Sequence, residues 1–503
     1  MQTLLPGITM ERVPTRRLSM AVLSVAGRTG QPVLFVHGNV SSSLFWQPLM
    51  LALPEGYRPL AVDLRGFGDT DQEPVDATRG LGDYADDIAG LIEALELTSV
   101  HLVGWSMGGG VVLQYLTERP AEHSAASVTL VAPVSPFGFG GTYGTDGTLC
   151  DQDGAGSGAG GVNTDFVARL AAGDRGADSP TSPRQVLLAH YVKPPFVPDE
   201  LDIFVESMLS TRTGDDHYPG TSRPAASWPG FAPGDRGVLN TMAPTHFRIE
   251  SLGALEPKPP VLWVRGADDV IVSDTSLYDL GYLGSLGAVP GWPGPDAWPP
   301  QPMVAQTRGL LDRYAASGGR YREAVFADSG HGPHLDQQAR FLAALEQHLA
   351  QAEGQAPLFP ARARRPDAHN LDAEVFRVVH NVCRAAKAAG GKSVPHGHEQ
   401  VGCLHHVLPG RPVRFFARRG ERELDSVGGR VEQLPECGEV FGVIECALVL
   451  IARYDHHQVV TRGQRAFGED LVAASGQCRH GQDFPPLGEK LEQFASHRAP
   501  RLR

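Results

Sequence analysis

Three short stretches carry side chains that could together break an acyl bond. Gly104-Trp105-Ser106-Met107-Gly108 fits the pattern G-x-S-x-G, after an apolar run at 99–103 and before an apolar segment at 111–116. Glycines in that setting permit a cramped strand-to-helix turn that lifts the Ser106 hydroxyl above a sheet, and a helix N-terminus behind it favours developing negative charge. Serine is a weak nucleophile until a base takes its proton, and the base needs a carboxylate to orient it, in the chain order serine, acid, histidine. Asp328-Ser329-Gly330-His331-Gly332-Pro333-His334 offers two histidines. His331 follows the glycine turn nearest the preceding strand and is preferred to His334. Val264 to Val272 brings adjacent Asp268 and Asp269, of which only one can point toward the histidine. A tetrahedral oxyanion needs two N–H donors. Met107, next after the nucleophile, and Asn39, in the tight turn His37-Gly38-Asn39, are the candidates. A glycine turn with an incidental serine would not bring an acid and a histidine to two further strand ends in the required order.

The elements that must hold these groups follow from hydrophobic patterning. Short runs at 32–36, 58–62, 99–103, 128–131, 260–264 and 322–326 read as strands, the first two of them buried. Between them, Ile88, Leu91, Ile92 and Leu95 recur at helical spacing within 83–97, and further helices are expected at 111–116 and 337–349. Strands alternating with helices imply an α/β fold, a mostly parallel sheet with helices on both faces. Ligand chemistry then belongs at the carboxyl ends of the strands, where each candidate residue lies.

With those residues in view, the chain resembles the α/β-hydrolase family over about residues 20–350. The resemblance rests on His37-Gly38-Asn39, Asp63-Leu64-Arg65-Gly66-Phe67-Gly68, Gly104-Trp105-Ser106-Met107-Gly108-Gly109, Gly266-Ala267-Asp268-Asp269 and Gly330-His331-Gly332-Pro333-His334. It implies that His331 is the catalytic histidine. It favours Asp269 over Asp268, because in the family's acid motif a glycine precedes the aspartate by three positions. The 63–68 loop borders the active site in the family, and its role here is taken as structural. The His-Gly-Asn stretch looks like that of haloalkane dehalogenases, but those enzymes and the related epoxide hydrolases use an aspartate nucleophile where this chain has Ser106.

The expected organisation is a core of 1–134 and 258–352, a cap or lid inserted at 135–257, and a C-terminal extension at 353–503. The insertion is rich in glycine, as in Gly154-Ala155-Gly156-Ser157-Gly158-Ala159-Gly160-Gly161, which suits close packing or a moving lid. Leu201, Phe204, Val205 and Met208 have helical spacing and are expected to pack in the core of the cap rather than touch substrate. Asp215, Asp216 and His217 read as a solvated loop. The Trp/Pro segment at 290–300 is expected either to wall the pocket or to pack on the cap.

Composition separates the two parts. Residues 1–350 hold 23 Lys and Arg against 39 Asp and Glu, whereas 351–503 hold 21 against 18. The acidic body lacks the basic footprint that nucleic acid or an anionic membrane would require. No apolar run approaches the roughly 20 residues of a membrane span, and no signal peptide is read at the start, so a cytoplasmic protein is expected. Five of six cysteines and ten of nineteen histidines fall after residue 350. His396, His398, Cys403, His405 and His406 match no established zinc spacing, and Arg414, Phe415, Phe416, Arg418 and Arg419 form too weak a field for nucleic acid. With 39 Arg against 5 Lys in the whole chain, the tail reads as unselected translation of a GC-rich frame rather than a selected domain.

The expectation is a serine hydrolase acting on an ester or similar acyl bond of a small organic molecule through Ser106, His331 and Asp269. Asn39 and Met107 N–H groups would receive the oxyanion, with no metal or organic cofactor. The alternative is a carbon–carbon bond hydrolase of ring-cleavage products, whose acidic-ketone substrate would need a cation such as Arg65, Lys193 or Arg265. A non-catalytic binding protein on the same fold would predict a broken triad. The substrate-binding residues and the oligomeric state are not legible at this level.

Overall fold

The computed structural model describes residues 2–354 and two short antiparallel strands, His406–Leu408 and Arg411–Val413. The Cys/His set (apart from the His406 backbone) and the Arg/Phe stretch at 414–419 lie outside the described residues. So does the material that would test the reading of 353–503.

Eight strands form one sheet: β1 (Ile8–Pro14), β2 (Ser19–Val25), β3 (Gln31–Val36), β4 (Tyr57–Val62), β5 (Val100–Trp105), β6 (Ala125–Val131), β7 (Val261–Gly266) and β8 (Tyr321–Phe326). Their spatial order is β1-β2-β4-β3-β5-β6-β7-β8, with β2 antiparallel to both neighbours and β3 to β8 parallel. The six expected strands are all present, shifted by one to three residues at their ends. The opening hairpin of β1 and β2 carries no clear sequence signal, because β1 is an edge strand burying only Ile8 and Val13.

The helices are α1 (Gly82–Ala94), α2 (Met107–Glu118), α3 (Thr164–Ala171), α4 (Leu201–Leu209), α5 (Met303–Ala316) and α6 (Gln338–Ala352), with shorter turns between. The connection β3 to β4 steps one way along the sheet, and β4 to β5 steps back past β3. Right-handed crossovers therefore place the helix Gln47–Ala52 on one face and α1 on the other. That reversal makes a crevice at the carboxyl ends of β3 and β5. Helix α1 buries Ile88, Leu91 and Ile92 of the predicted stripe together with Tyr84 and Ala85, while Leu95 caps its C-terminus and is half-buried. The segment between β6 and β7 holds α4, which the helical spacing of Leu201, Phe204, Val205 and Met208 marks, and also α3, shorter helical turns and three two-stranded pieces that the single-sequence pattern does not resolve.

Candidate active site

Strand β5 is buried along its whole length and α2 begins at Met107, so Ser106 alone makes the turn between them. Its φ of 55° lies in the left-handed region, a conformation that costs a non-glycine residue about 1–3 kcal/mol. Surrounding bonds hold it there: Ser106 N–H donates to Val131 O at 2.9 Å, and Val134 N–H donates to Ser106 O at 3.0 Å. A Cβ on Gly104 would lie 2.4 Å from Gly108 O, and one on Gly108 would lie 2.4 Å from the carbonyls of both Val36 and His37. The two motif glycines are thus required by close backbone approach. Met107 is the first residue of α2, where its N–H has no intrahelical acceptor within reach.

The loop after β3 lies beside this turn because Val36 pairs with Gly104 in the register. His37 anchors it: Nδ1–H donates to Gly38 O at 2.7 Å while Nε2 accepts Leu64 N–H at 3.0 Å. Burial pushes the His37 pKa down to about 4, so the ring is a neutral brace near pH 7. Asp63 does similar work, accepting N–H bonds from Ser43 at 2.7 Å and Asp69 at 2.9 Å, with its pKa raised by burial. Arg65 is buried and forked onto Asp87 at 2.6 and 2.9 Å. These contacts tie the 63–68 loop into the fold.

The two adjacent aspartates separate cleanly. Asp269 is buried, and its Oδ2 lies 2.9 Å from His331 Nδ1, while Oδ1 accepts N–H bonds from Ile271 at 2.7 Å and Val272 at 2.9 Å. Asp268 points elsewhere, accepting from Lys193 Nζ at 2.7 Å. His331 is buried, and its carbonyl accepts the Trp105 indole N–H at 3.0 Å. His334 is buried too, but neither ring nitrogen has a hydrogen-bond partner among the described residues, and it stacks on Trp46 at 4.3 Å between ring centroids.

Asn39, Ser106 and His331 line one cavity of about 450 Å³. Its remaining wall comes largely from the insertion, including Phe139, Val162, Phe166, Tyr191, Leu239 and Met242, with Ile271, Leu277 and Tyr278 from beyond β7. No Lys, Arg, Asp or Glu lines it among the described residues; His190 and His331 are its only imidazoles. Burial holds His190 below its ordinary pKa. Phe204, Val205 and Met208 of α4 pack inward and are absent from the lining, as their spacing suggests. The tryptophans of the 290–300 segment also stay out of the cavity; Trp298 packs on Trp228 at 5.4 Å. Asp216 pairs with Arg236 away from the cavity. Sequence reasoning misses Tyr191 altogether, because it lies in a stretch with no motif.

Residues 31–142 match the family model described as alpha/beta hydrolase fold. A non-heme chloroperoxidase from Streptomyces lividans is 40% identical over 110 residues, which cover 22% of this chain and 39% of that protein. The matched stretch thus spans about two fifths of that relative's length. A 2-(acetamidomethylene)succinate hydrolase from Mesorhizobium japonicum is 28% identical over 274 residues, covering 54% of this chain and 84% of the relative. Among solved structures, an esterase from Rhodococcus sp. ECU1013 superposes with a TM-score of 0.42 at 19% identity, over 69% of this chain and 99% of the other. No helix among the described residues is long and apolar enough to cross a membrane. A mostly parallel eight-stranded sheet with a strained serine turn at its centre, and the match of residues 31–142 across that turn, give the chain an α/β-hydrolase fold.

Proposed function

We propose that this chain is a serine hydrolase that cleaves an ester or similar acyl bond of an uncharged small organic molecule. The observation that carries it is the pairing of His331 Nδ1 with Asp269, with His331 and Ser106 opening on one cavity. Ser106 Oγ attacks the acyl carbonyl while His331 Nε2 takes its proton. Asp269 fixes the imidazole tautomer and offsets its charge once protonated, and the N–H groups of Met107 and Asn39 receive the oxyanion. His331 returns the proton to the leaving group, and a water activated by the same histidine then releases the acyl-enzyme. Residues 135–257 act as the cap over this chemistry.

The uncharged wall supports a neutral substrate. A carbon–carbon hydrolase acting on an acidic ketone would need a cation at the site, and the three candidates are engaged outside it. Arg65 is bound to Asp87, Arg265 to Glu323 at 2.8 Å, and Lys193 to Asp268 and Asp328.

Turnover of p-nitrophenyl butyrate and labelling by a fluorophosphonate test the reading. Wild type is expected to do both, and Ser106→Ala neither, with its fold intact. Wild-type protein inert to both reagents would favour a binding protein, and a turnover-competent Ser106→Ala would place the nucleophile elsewhere.

A further inference from the structure

The insertion reaches back across the active-site loops through three consecutive residues, Tyr191, Val192 and Lys193. The Tyr191 hydroxyl lies 3.1 Å from Asn39 O and 3.2 Å from Val40 O, so its single proton is shared between the two carbonyls of the turn beside Ser106. Val40 has a φ of 46°, a conformation rare for a β-branched residue, and therefore needs outside support. Tyr191 is fixed in turn. Its carbonyl accepts Gly332 N–H at 2.7 Å, next to His331, and Lys193 N–H donates to Asp336 at 3.1 Å. The Lys193 ammonium bridges Asp268 at 2.7 Å and Asp328 at 2.9 Å, joining the acid loop to the histidine loop. A Cβ on Gly330 would lie 2.8 Å from Val192 C, so the histidine loop and this segment approach as closely as backbones can. Burial raises the Tyr191 pKa well above its ordinary value, which keeps the hydroxyl a donor across the working pH range.

We propose that Tyr191 is a positioning residue, its hydroxyl holding the strained Asn39–Val40 turn so that the Asn39 N–H stays in place for the oxyanion, and that residues 191–193 strap this turn to the loops bearing His331 and Asp269. This rests on the serine-hydrolase reading above. It assigns residues 191–193, in the middle of the insertion, a fixed part in the chemistry.

The test is steady-state hydrolysis of p-nitrophenyl butyrate by Tyr191→Phe, Val40→Gly and the double variant, with Ser106→Ala alongside. Misplacing one donor is expected to lower kcat of Tyr191→Phe about 10- to 100-fold while KM moves less than about threefold. Glycine adopts positive φ without strain, so in the Val40→Gly background the same change should cost less than about fivefold. A loss of the same size in both backgrounds, or a Tyr191→Phe kcat within about twofold of wild type while Ser106→Ala is inactive, overturns the proposal and leaves the hydrolase reading standing. An active Ser106→Ala removes that reading instead. Should Tyr191→Phe fail to fold, Lys193→Met releases the strap from its far end. There a kcat loss of roughly threefold or more at constant KM supports the proposal, and an unchanged kcat overturns it.

Discussion

The cavity is built from two unlike materials. At the strand ends, Asn39, Ser106 and His331 stand on short turns braced by backbone and side-chain hydrogen bonds, and Ser106 is held at positive φ. Opposite them, the insertion offers apolar side chains and glycine-rich loops without a charged group on the cavity wall. Reaction chemistry tolerates little displacement, so it sits where a sheet fixes the backbone, whereas substrate fit can be supplied by loops that change without disturbing the sheet. Substitutions on the two sides should therefore fail in different ways: kcat on the strand side, substrate preference on the insertion side.

The largest effect belongs to Ser106→Ala, expected to cut turnover by roughly 10⁴-fold or more while the unfolding transition stays put. Next comes a contrast between neighbours. Asp269→Asn should lower kcat about 10³- to 10⁴-fold by leaving the imidazole in the wrong tautomer. Asp268→Asn, which leaves Lys193 still bonded to Asp328, should stay within about threefold. Equal losses at both positions, read from kcat for p-nitrophenyl butyrate, would break the assignment of the strand-end groups.

That contrast also marks how far the sequence alone is legible. The serine turn and the histidine loop write themselves locally, as glycines and one reactive side chain after a strand, and five of the six parallel strands as runs buried along most of their length. The choice of Asp269 over Asp268 rests on a motif, and its physical basis is the pair of N–H groups of Ile271 and Val272 that hold one oxygen while the other meets His331. Tyr191 leaves no such trace, since its partners Asn39 and Val40 lie about 150 positions earlier and are backbone carbonyls with no side-chain signature. The 290–300 segment stays open between two roles for the same reason: whether a tryptophan faces a cavity or a neighbouring Trp228 depends on contacts made through distant loops. Edge strand β1 escapes notice because an edge needs little apolar surface.

The insertion side is probed by giving it what it lacks. Val162→Arg puts a cation on a wall that otherwise has none among the described residues. In a partly screened cavity the attraction to a substrate carboxylate is about 1–2 kcal/mol. The ratio of kcat/KM for p-nitrophenyl hemisuccinate over p-nitrophenyl butyrate should thus rise about tenfold, with kcat for the neutral ester little changed. An unmoved ratio would mean that the acyl group does not lie against the insertion.

The smallest expected effect separates two histidines three positions apart. His331 is bonded to Asp269 and faces the cavity; His334 is enclosed by Trp46, Trp105 and Phe341, with both nitrogens unpartnered among the described residues. Burial, reinforced by the charge of His331 when protonated, pushes the His334 pKa well below its ordinary value. The unfolded chain takes up a proton at this residue near pH 6.5 and the folded chain does not. Its contribution to stability is therefore complete above pH 6.5 and is lost as pH falls, at up to about 1.4 kcal/mol per pH unit. His37 and His348, both lowered to about 4 by burial, add to the same acid sensitivity. His334→Phe keeps an aromatic ring against Trp46 and removes the titrating group. Urea unfolding should give equal or slightly higher stability at pH 7.5, and a loss between pH 7.5 and 5.5 smaller than wild type by about 1 kcal/mol. Turnover should stay within about threefold, since this ring touches no part of the proposed reaction path. A variant with the full wild-type acid loss would show that the ring already finds a proton-bearing partner in solution. A variant with collapsed kcat would bring the second histidine into the catalytic group after all.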